Sequence, residues 1–291
     1  MEKLQNDAGI LKSDPGKLKD MPRMMFGSFQ ITDEEQLYAI VEEAYRCGIK
    51  GFDTSPSYRS EAAVSGAINR YISAHNDVHR EDFFFQTKID EWQMIAKQGE
   101  IRPFVGATLK KIGQDYLDLL LIHWPQPDYF TATWKSMEKL YESGRVKAIG
   151  LCNVGERHVR LLEKAGANIC PMVVQNEIHP LNTFEKSTQF LQDRGIVVQS
   201  YCPLCRMQPE LTEKPLWKEL TEKYGKSLAQ IVLRWHIQRG LIPIVKTSKV
   251  KRVAENAEAM KFVLDAEDME RISGLNENFK IFLESRCCPG Y

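Results

Sequence analysis

The sequence predicts one α/β domain over residues 1–291, folded as a (β/α)8 TIM barrel with an N-terminal hairpin or loop and a short C-terminal tail. Three observations carry this. Eight short apolar runs alternate with amphipathic helical segments at steps of roughly 30 residues. No G-x-G-x-x-G follows the first run or occurs elsewhere, which argues against a doubly wound dinucleotide-binding sheet. The alternation continues past six strands with no composition break to mark a second domain.

The elements follow in order. The segment up to about residue 23 is polar, with Gly9, Pro15, Gly16 and Pro22, and reads as a hairpin or loop. Met24 to Phe29 is the first strand. Glu34 to Cys47 is helical, because Leu37, Ile40, Val41 and Ala44 share one face and Gly48 ends the run. Lys50 to Asp53 and Phe83 to Ile89 are the second and third strands, with a helix from about Glu61 to Ser73 between them. A helix from Arg102 to Ile112 leads to the fourth strand, Tyr116 to Pro125, whose nearly unbroken apolar run suits a strand covered on both faces. Helices over Thr131 to Glu142, around Val159 and Leu162, and over Phe184 to Asp193 separate strands at Val146 to Leu151, Met172 to Gln175 and Ile196 to Tyr201. Helical segments fill Leu216 to Gln238, Leu241 to Lys246 is the eighth strand, and two more helical stretches follow.

Composition narrows the function. Apolar residues are 43% of the chain, enough for a large core, and Lys plus Arg balance Asp plus Glu at 39 each. That balance gives no footing for a general nucleic-acid or membrane binder. The polar N-terminus has no signal-peptide core and no run is long enough to span a bilayer, so a cytoplasmic protein is expected. The seven cysteines are scattered and none has zinc-site spacing. Cys202 and Cys205 do form a C-x-x-C, but without a second ligand pair or a thioredoxin-like setting. The thiols are read as reduced, and no metal is expected.

Polar residues recur at the strand ends. The second strand ends in Asp53 with Tyr58 five residues on, the third in Lys88, and the fourth in His123. The fifth leads to Asn153, and the sixth, seventh and eighth end at Gln175, Tyr201 and Lys246. Singly, each has a structural explanation; a histidine beside core residues is ordinarily a hydrogen-bonded structural group. In a barrel all of them converge on the C-terminal face, where active sites lie. The chemistry implied is protonation of a developing oxyanion. Tyr58 is the acid, Lys88 is expected to lower its pKa, Asp53 to hold Lys88 charged, and His123 to donate a hydrogen bond to the substrate oxygen. No side chain donates hydride, so a cofactor is required.

These segments resemble the aldo-keto reductase superfamily from about Met21 to Asn278. The resemblance rests on Gly51-Phe52-Asp53-Thr54 with Tyr58 and Glu61, Gln86-Thr87-Lys88, and Leu117 to Pro125. It continues through Gly144 to Asn153, Gln175-Asn176-Glu177 with His179-Pro180, and Tyr201-Cys202-Pro203-Leu204, ending on Lys246 with Arg252, Glu255 and Asn256. It is closest in kind to bacterial reductases of small ketones, aldehydes and keto-sugars. The family implies NADPH/NADP+ bound without a Rossmann domain. Asn153 and Gln175 would hold the nicotinamide carboxamide beside Cys152, and Tyr201 would stack on the ring. Cys202 and Leu204 would lie by the pyrophosphate. Lys246 and Arg252 would meet the 2′-phosphate together with the hydroxyl of either Thr247 or Ser248, and Glu255 and Asn256 the adenine. Cys152 and Cys202 stand where serine is usual, Cys205 where glycine is usual, and Arg59-Ser60 replaces the common Gly-Asn. Phe29 and Trp124 match substrate-pocket positions, and Trp92 follows the third strand. The short tail is expected to leave the pocket open to a range of carbonyl substrates. The alternative is an NADPH-binding redox-sensing regulator of the same fold with slow turnover. A monomer or weak oligomer is expected.

Overall fold

The computed structural model describes Leu18 and residues 21–283. Eight parallel strands close into a barrel in sequence order: β1 (Met25–Gly27), β2 (Gly51–Asp53), β3 (Phe84–Ile89), β4 (Leu119–Ile122), β5 (Ile149–Cys152), β6 (Val173–Glu177), β7 (Val197–Tyr201) and β8 (Leu241–Val245). Closure is made by β1 on β8, with Met25 opposite Ile244 and Phe26 opposite Val245. Most of the expected N-terminal hairpin or loop, and Cys287 and Cys288, lie outside the described residues.

Helices cover the outside: α1 (Glu34–Arg46), α2 (Glu61–Ala74), α3 (Glu91–Ala96), α4 (Arg102–Ile112), α5 (Phe130–Glu142), α6 (Glu156–Lys164), α7 (Glu185–Gln192), α8 (Pro209–Thr212), α9 (Leu216–Tyr224), α10 (Leu228–Gln238), α11 (Val250–Ala257) and α12 (Ala266–Ser273). Asp33 caps α1 by accepting the Gln36 N–H at 2.7 Å. The helical stretch expected over 216–238 is two helices. Gly225 turns left-handed at φ 59° and Ser227 starts α10 with a capping box to Gln230. The six-residue α3 is too short to show a periodicity in sequence.

Alternation along the strands sorts residues between helix layer and barrel interior. Phe52, Phe85, Leu120, Ile122, Leu151 and Val174 pack outward in the main core. Leu119, Leu121, Ala148, Met172 and Val173 form a separate apolar cluster, with Leu18 against it. Gly150 sits in this tight region, where a Cβ would come within 2.2 Å of the Val173 carbonyl oxygen. Three inward amides, Gln86, Gln175 and Gln199, are hydrogen-bonded in a chain, with the carboxylate of Asp53 next in the network. The polar groups are therefore displaced from the apolar cluster and linked to one another, as buried polar atoms must be.

His236 on α10 ties the helix layer to β7. Its Nδ1 is 3.0 Å from the Ser200 hydroxyl and its Nε2 is 3.2 Å from the Pro203 carbonyl oxygen. That carbonyl only accepts, so Nε2 carries the proton and Nδ1 accepts from Ser200. Burial pushes the ring pKa down to about 3. Between that value and the unfolded value of about 6.5 the unfolded chain binds the extra proton, so stability falls as pH drops through this window, by up to about 5 kcal/mol. Urea titrations from neutral pH towards pH 4 should show a falling midpoint, and His236→Gln should flatten part of that slope. An unchanged slope would remove His236 from the account.

Candidate active site

The C-terminal strand ends build one polar cluster. Lys88, next to last in β3, is fully buried and places Nζ 2.6 Å from Asp53 Oδ1 and 3.0 Å from the Thr54 carbonyl oxygen. The same Oδ1 accepts from Gln86 Nε2 at 2.6 Å and Gln175 Nε2 at 3.2 Å. Burial by itself would depress the Lys88 pKa, but the groups around it, the Asp53 carboxylate first, together more than offset it and hold the amine charged.

Tyr58 ends a 3₁₀ turn over Pro56–Tyr58, after which Arg59 is left-handed at φ 58°. That turn swings the phenol back over the barrel. Lys88 Nζ lies 4.7 Å from its ring centroid, Phe29 packs edge-on at 5.0 Å, and His123 sits edge-on at 5.7 Å. Burial raises the Tyr58 pKa well above its ordinary value; Lys88 pulls it down, and Asp53 raises it again. This corrects the expectation of a lowered pKa. Desolvation of the phenolate outweighs the ammonium, part of whose field Asp53 cancels. Tyr58 therefore keeps its proton across the neutral range.

His123 follows β4 directly. Its Nδ1 is 2.5 Å from Asp90 Oδ1, and the Ser55 hydroxyl lies 3.4 Å from the same nitrogen. Its carbonyl oxygen accepts from Asn153 Nδ2 at 2.9 Å. Asn153 is itself left-handed, at φ 59°, and its Oδ1 accepts the Tyr201 hydroxyl at 2.7 Å. One amide thus links β4, β5 and β7 and retains one N–H and one acceptor site for a ligand. Gln175 spends both amide hydrogens on Asp53 and Gln199, and its Oε1 has no partner among the described residues.

A second group gathers beyond β8. Lys246, Ser248, Arg252 and Glu255 are exposed, while Thr247 and Asn256 are buried. Lys249 caps α11 without a side-chain bond, so the N–H groups of the first helical turn lack a side-chain acceptor next to Lys246 and Arg252. The loop after β7 is strained: Cys202, Cys205, Arg206 and Met207 all have positive φ. Cys205, at φ 47°, adopts a conformation that glycine takes freely, which explains why glycine is usual at that position. Leu204 is half-buried in the same loop.

Burial pushes the Cys202 and Cys205 thiols up to about 12 and raises Cys152 further. All three stay protonated, the unreactive form.

The substrate-side residues divide. Phe29 and Trp124 lie against the cluster, Phe29 on Tyr58 and Trp124 buried next to His123. Trp92 is 54% exposed on α3 and its ring partner is Phe104 at 5.3 Å, so the structure does not bring it to the phenol. The tail is not clear of the mouth as expected. Glu177 Oε1 and Oε2 accept the N–H groups of Ile281 and Phe282 at 2.7 and 2.9 Å, which sets Phe282 edge-on to Tyr201 at 5.6 Å. Two backbone N–H bonds to a buried carboxylate are strong enough to hold the chain there. Asp90, Gln86 and Gln199 belong to the site although the sequence assigns none of them a site role, Gln86 standing there only within the Gln86-Thr87-Lys88 motif. Asp90 follows Lys88 by two positions at the same strand end, a signal that was available. The two glutamines are visible only once the inward faces are known.

An eight-stranded barrel with a buried Asp–Lys pair beneath a tyrosine and a histidine at its C-terminal mouth defines an enzyme-like barrel site. The family model "Aldo/keto reductase family" matches residues 23–277. An uncharacterized oxidoreductase of Bacillus subtilis, YtbE, is 37% identical over 90% of this chain and 91% of its own. A glyoxal reductase of the same organism is 34% identical over the same shares. A Bombyx mori aldo-keto reductase solved in complex with NADP superposes with a TM-score of 0.82 at 30% identity, covering 91% of this chain and 92% of its own. The chain belongs to the aldo/keto reductase family.

Proposed function

We propose that the protein is an NADPH-dependent carbonyl reductase that converts small aldehydes, ketones and 2-oxoaldehydes to alcohols, with the proton supplied by Tyr58. The observation that carries this reading is the buried Lys88–Asp53 pair at 2.6 Å beneath the Tyr58 ring. A protonated phenol held over a fixed ammonium is placed to give up its proton as negative charge grows on a carbonyl oxygen. Lys88 stabilises the phenolate that remains, and Asp53 keeps Lys88 charged and in place. Phe29 and Trp124 wall the substrate side and exclude water.

The residues present fit a nicotinamide dinucleotide. When bound, NADPH supplies the hydride. The free Gln175 Oε1 and the spare capacity of Asn153 suit a carboxamide. Tyr201 offers its ring, with Cys152, Cys202 and Leu204 lining the adjoining backbone. Lys246 and Arg252, next to the first turn of α11, suit a 2′-phosphate together with Thr247 and Ser248, and Glu255 and Asn256 lie further along that helix. The relationship to a glyoxal reductase supports 2-oxoaldehydes within the substrate class. The protonated state of the three thiols favours this reading over a redox-sensing regulator.

The test is NADPH consumption with glyoxal and simple aldehydes, repeated in Lys246→Ala and Arg252→Ala. Each variant should weaken NADPH binding about tenfold or more, the scale of one lost charge-assisted contact, and leave NADH nearly unaffected. Equal losses for the two cofactors would sink the 2′-phosphate assignment. Tight NADPH binding with no carbonyl reduced would sink the reductase.

A further inference from the structure

Asp90 belongs to none of the four residues that give the reaction its acid and its electrostatics, yet it is built as carefully as they are. Its side chain is 2% exposed. Oδ1 takes His123 Nδ1 at 2.5 Å and the hydroxyls of Ser55 at 3.0 Å and Ser57 at 3.4 Å, while Oδ2 takes the Ser57 N–H at 2.8 Å. Every one of these neighbours can donate, and the backbone N–H can only donate, so the carboxylate is an ionised acceptor. The His123 nitrogen facing it must then carry a hydrogen. Burial opposes the charge on Asp90, but its contacts, His123 first, outweigh that and hold the carboxyl below its ordinary range.

Building on the reductase reading, we propose that Asp90 is a positioning residue for carbonyl reduction. It fixes the proton of His123 on Nδ1 and leaves Nε2 as the nitrogen offered to the substrate oxygen. Nε2 has no partner among the described residues. In the neutral ring Nε2 is then an acceptor and repels a developing oxyanion. In the doubly protonated ring it is a donor that stabilises one. The helpful form of His123 is the charged one, and Asp90 is the anion that supports it. Around the ring stand Asp90 and Glu91 from the segment after β3, Tyr58 and Ser55 from the segment after β2, and Asn153 from the end of β5, with Lys88 beyond the phenol. Of the ionised groups in this set, the Asp90 carboxylate is the one bonded to the ring. Glu91 is held towards its neutral form by burial.

The experiment uses the NADPH-bound enzyme with glyoxal. Asp90→Asn should lower kcat/KM about 10- to 100-fold, less than the ~10²–10³-fold loss on deleting an oxyanion donor itself. NADPH affinity should be unchanged, and Asp90→Glu should restore part of the loss. Nitrogen NMR on histidine-labelled wild-type holoenzyme, with His123 assigned from the His123→Gln spectrum, needs no folded Asp90 variant. A neutral His123 ring should carry its proton on Nδ1. A proton on Nε2, or an Asp90→Asn enzyme with unchanged kcat/KM at every pH, overturns the proposal. If wild type reduces no carbonyl, the reductase reading fails by itself, and the proton position on His123 still decides whether Asp90 fixes the ring.

Discussion

Tyr58→Phe is expected to lower turnover of a simple aldehyde by about 10²–10⁴-fold, the usual yield of a positioned general acid, while NADPH binds as in wild type. The substitution deletes only the hydroxyl. The ring keeps its edge contacts to Phe29 and His123 and its place above Lys88. The hydroxyl interacts with Lys88, whose amine keeps Asp53 and the Thr54 carbonyl oxygen as partners, so stability should change little. Because burial holds the phenol protonated well past neutrality, wild-type activity should show no loss of the acid between neutral pH and pH 9. Stopped-flow reduction separates chemistry from product release, and cofactor fluorescence gives the affinity. Turnover within a few-fold of wild type would show that the proton comes from another group, and His123 would be the first to examine.

Lys88→Met should damage both stability and rate. The amine is fully buried and its partner Asp53 is 5% exposed, so the variant leaves a carboxylate in the barrel without its cation. Breaking one side of such a pair destabilises by about 3–5 kcal/mol. The two amide donors that remain on Asp53, Gln86 and Gln175, place the expectation at the lower end. Urea unfolding reads this as a lower midpoint at similar slope. Adding Asp53→Asn should restore part of the stability, because the stranded charge is gone, but none of the activity. If the double variant is no more stable than Lys88→Met, the damage comes from lost packing rather than from the unpaired carboxylate. Activity should fall with the single change even where the protein is folded, since nothing then stabilises the phenolate left by proton transfer.

The sequence by itself determined the strand and helix order, because apolar runs and helical faces are local patterns that survive without coordinates. It also determined the polar residue at each strand end, since Asp53, Lys88 and His123 each close or follow an apolar run, and Tyr58 follows Asp53 at short range. Barrel closure turned these scattered positions into one cluster. Other properties were decided by tertiary structure. The sign of the Tyr58 shift depends on how much water the fold removes, which no neighbour in sequence reports. The amide chain of Gln86, Gln175 and Gln199 joins β3, β6 and β7 across the barrel, a distance that only closure removes. The hold on the tail comes from Glu177, more than a hundred positions before Phe282. Asp90 was legible as an acid at a strand end, but its hydrogen bond to His123 exists only because β3 and β4 lie side by side in parallel, with Ile89 opposite Ile122 and the next residue of each chain in reach of the other. Local pattern names the residues; the register of neighbouring strands decides which of them touch, and burial decides what charge they carry.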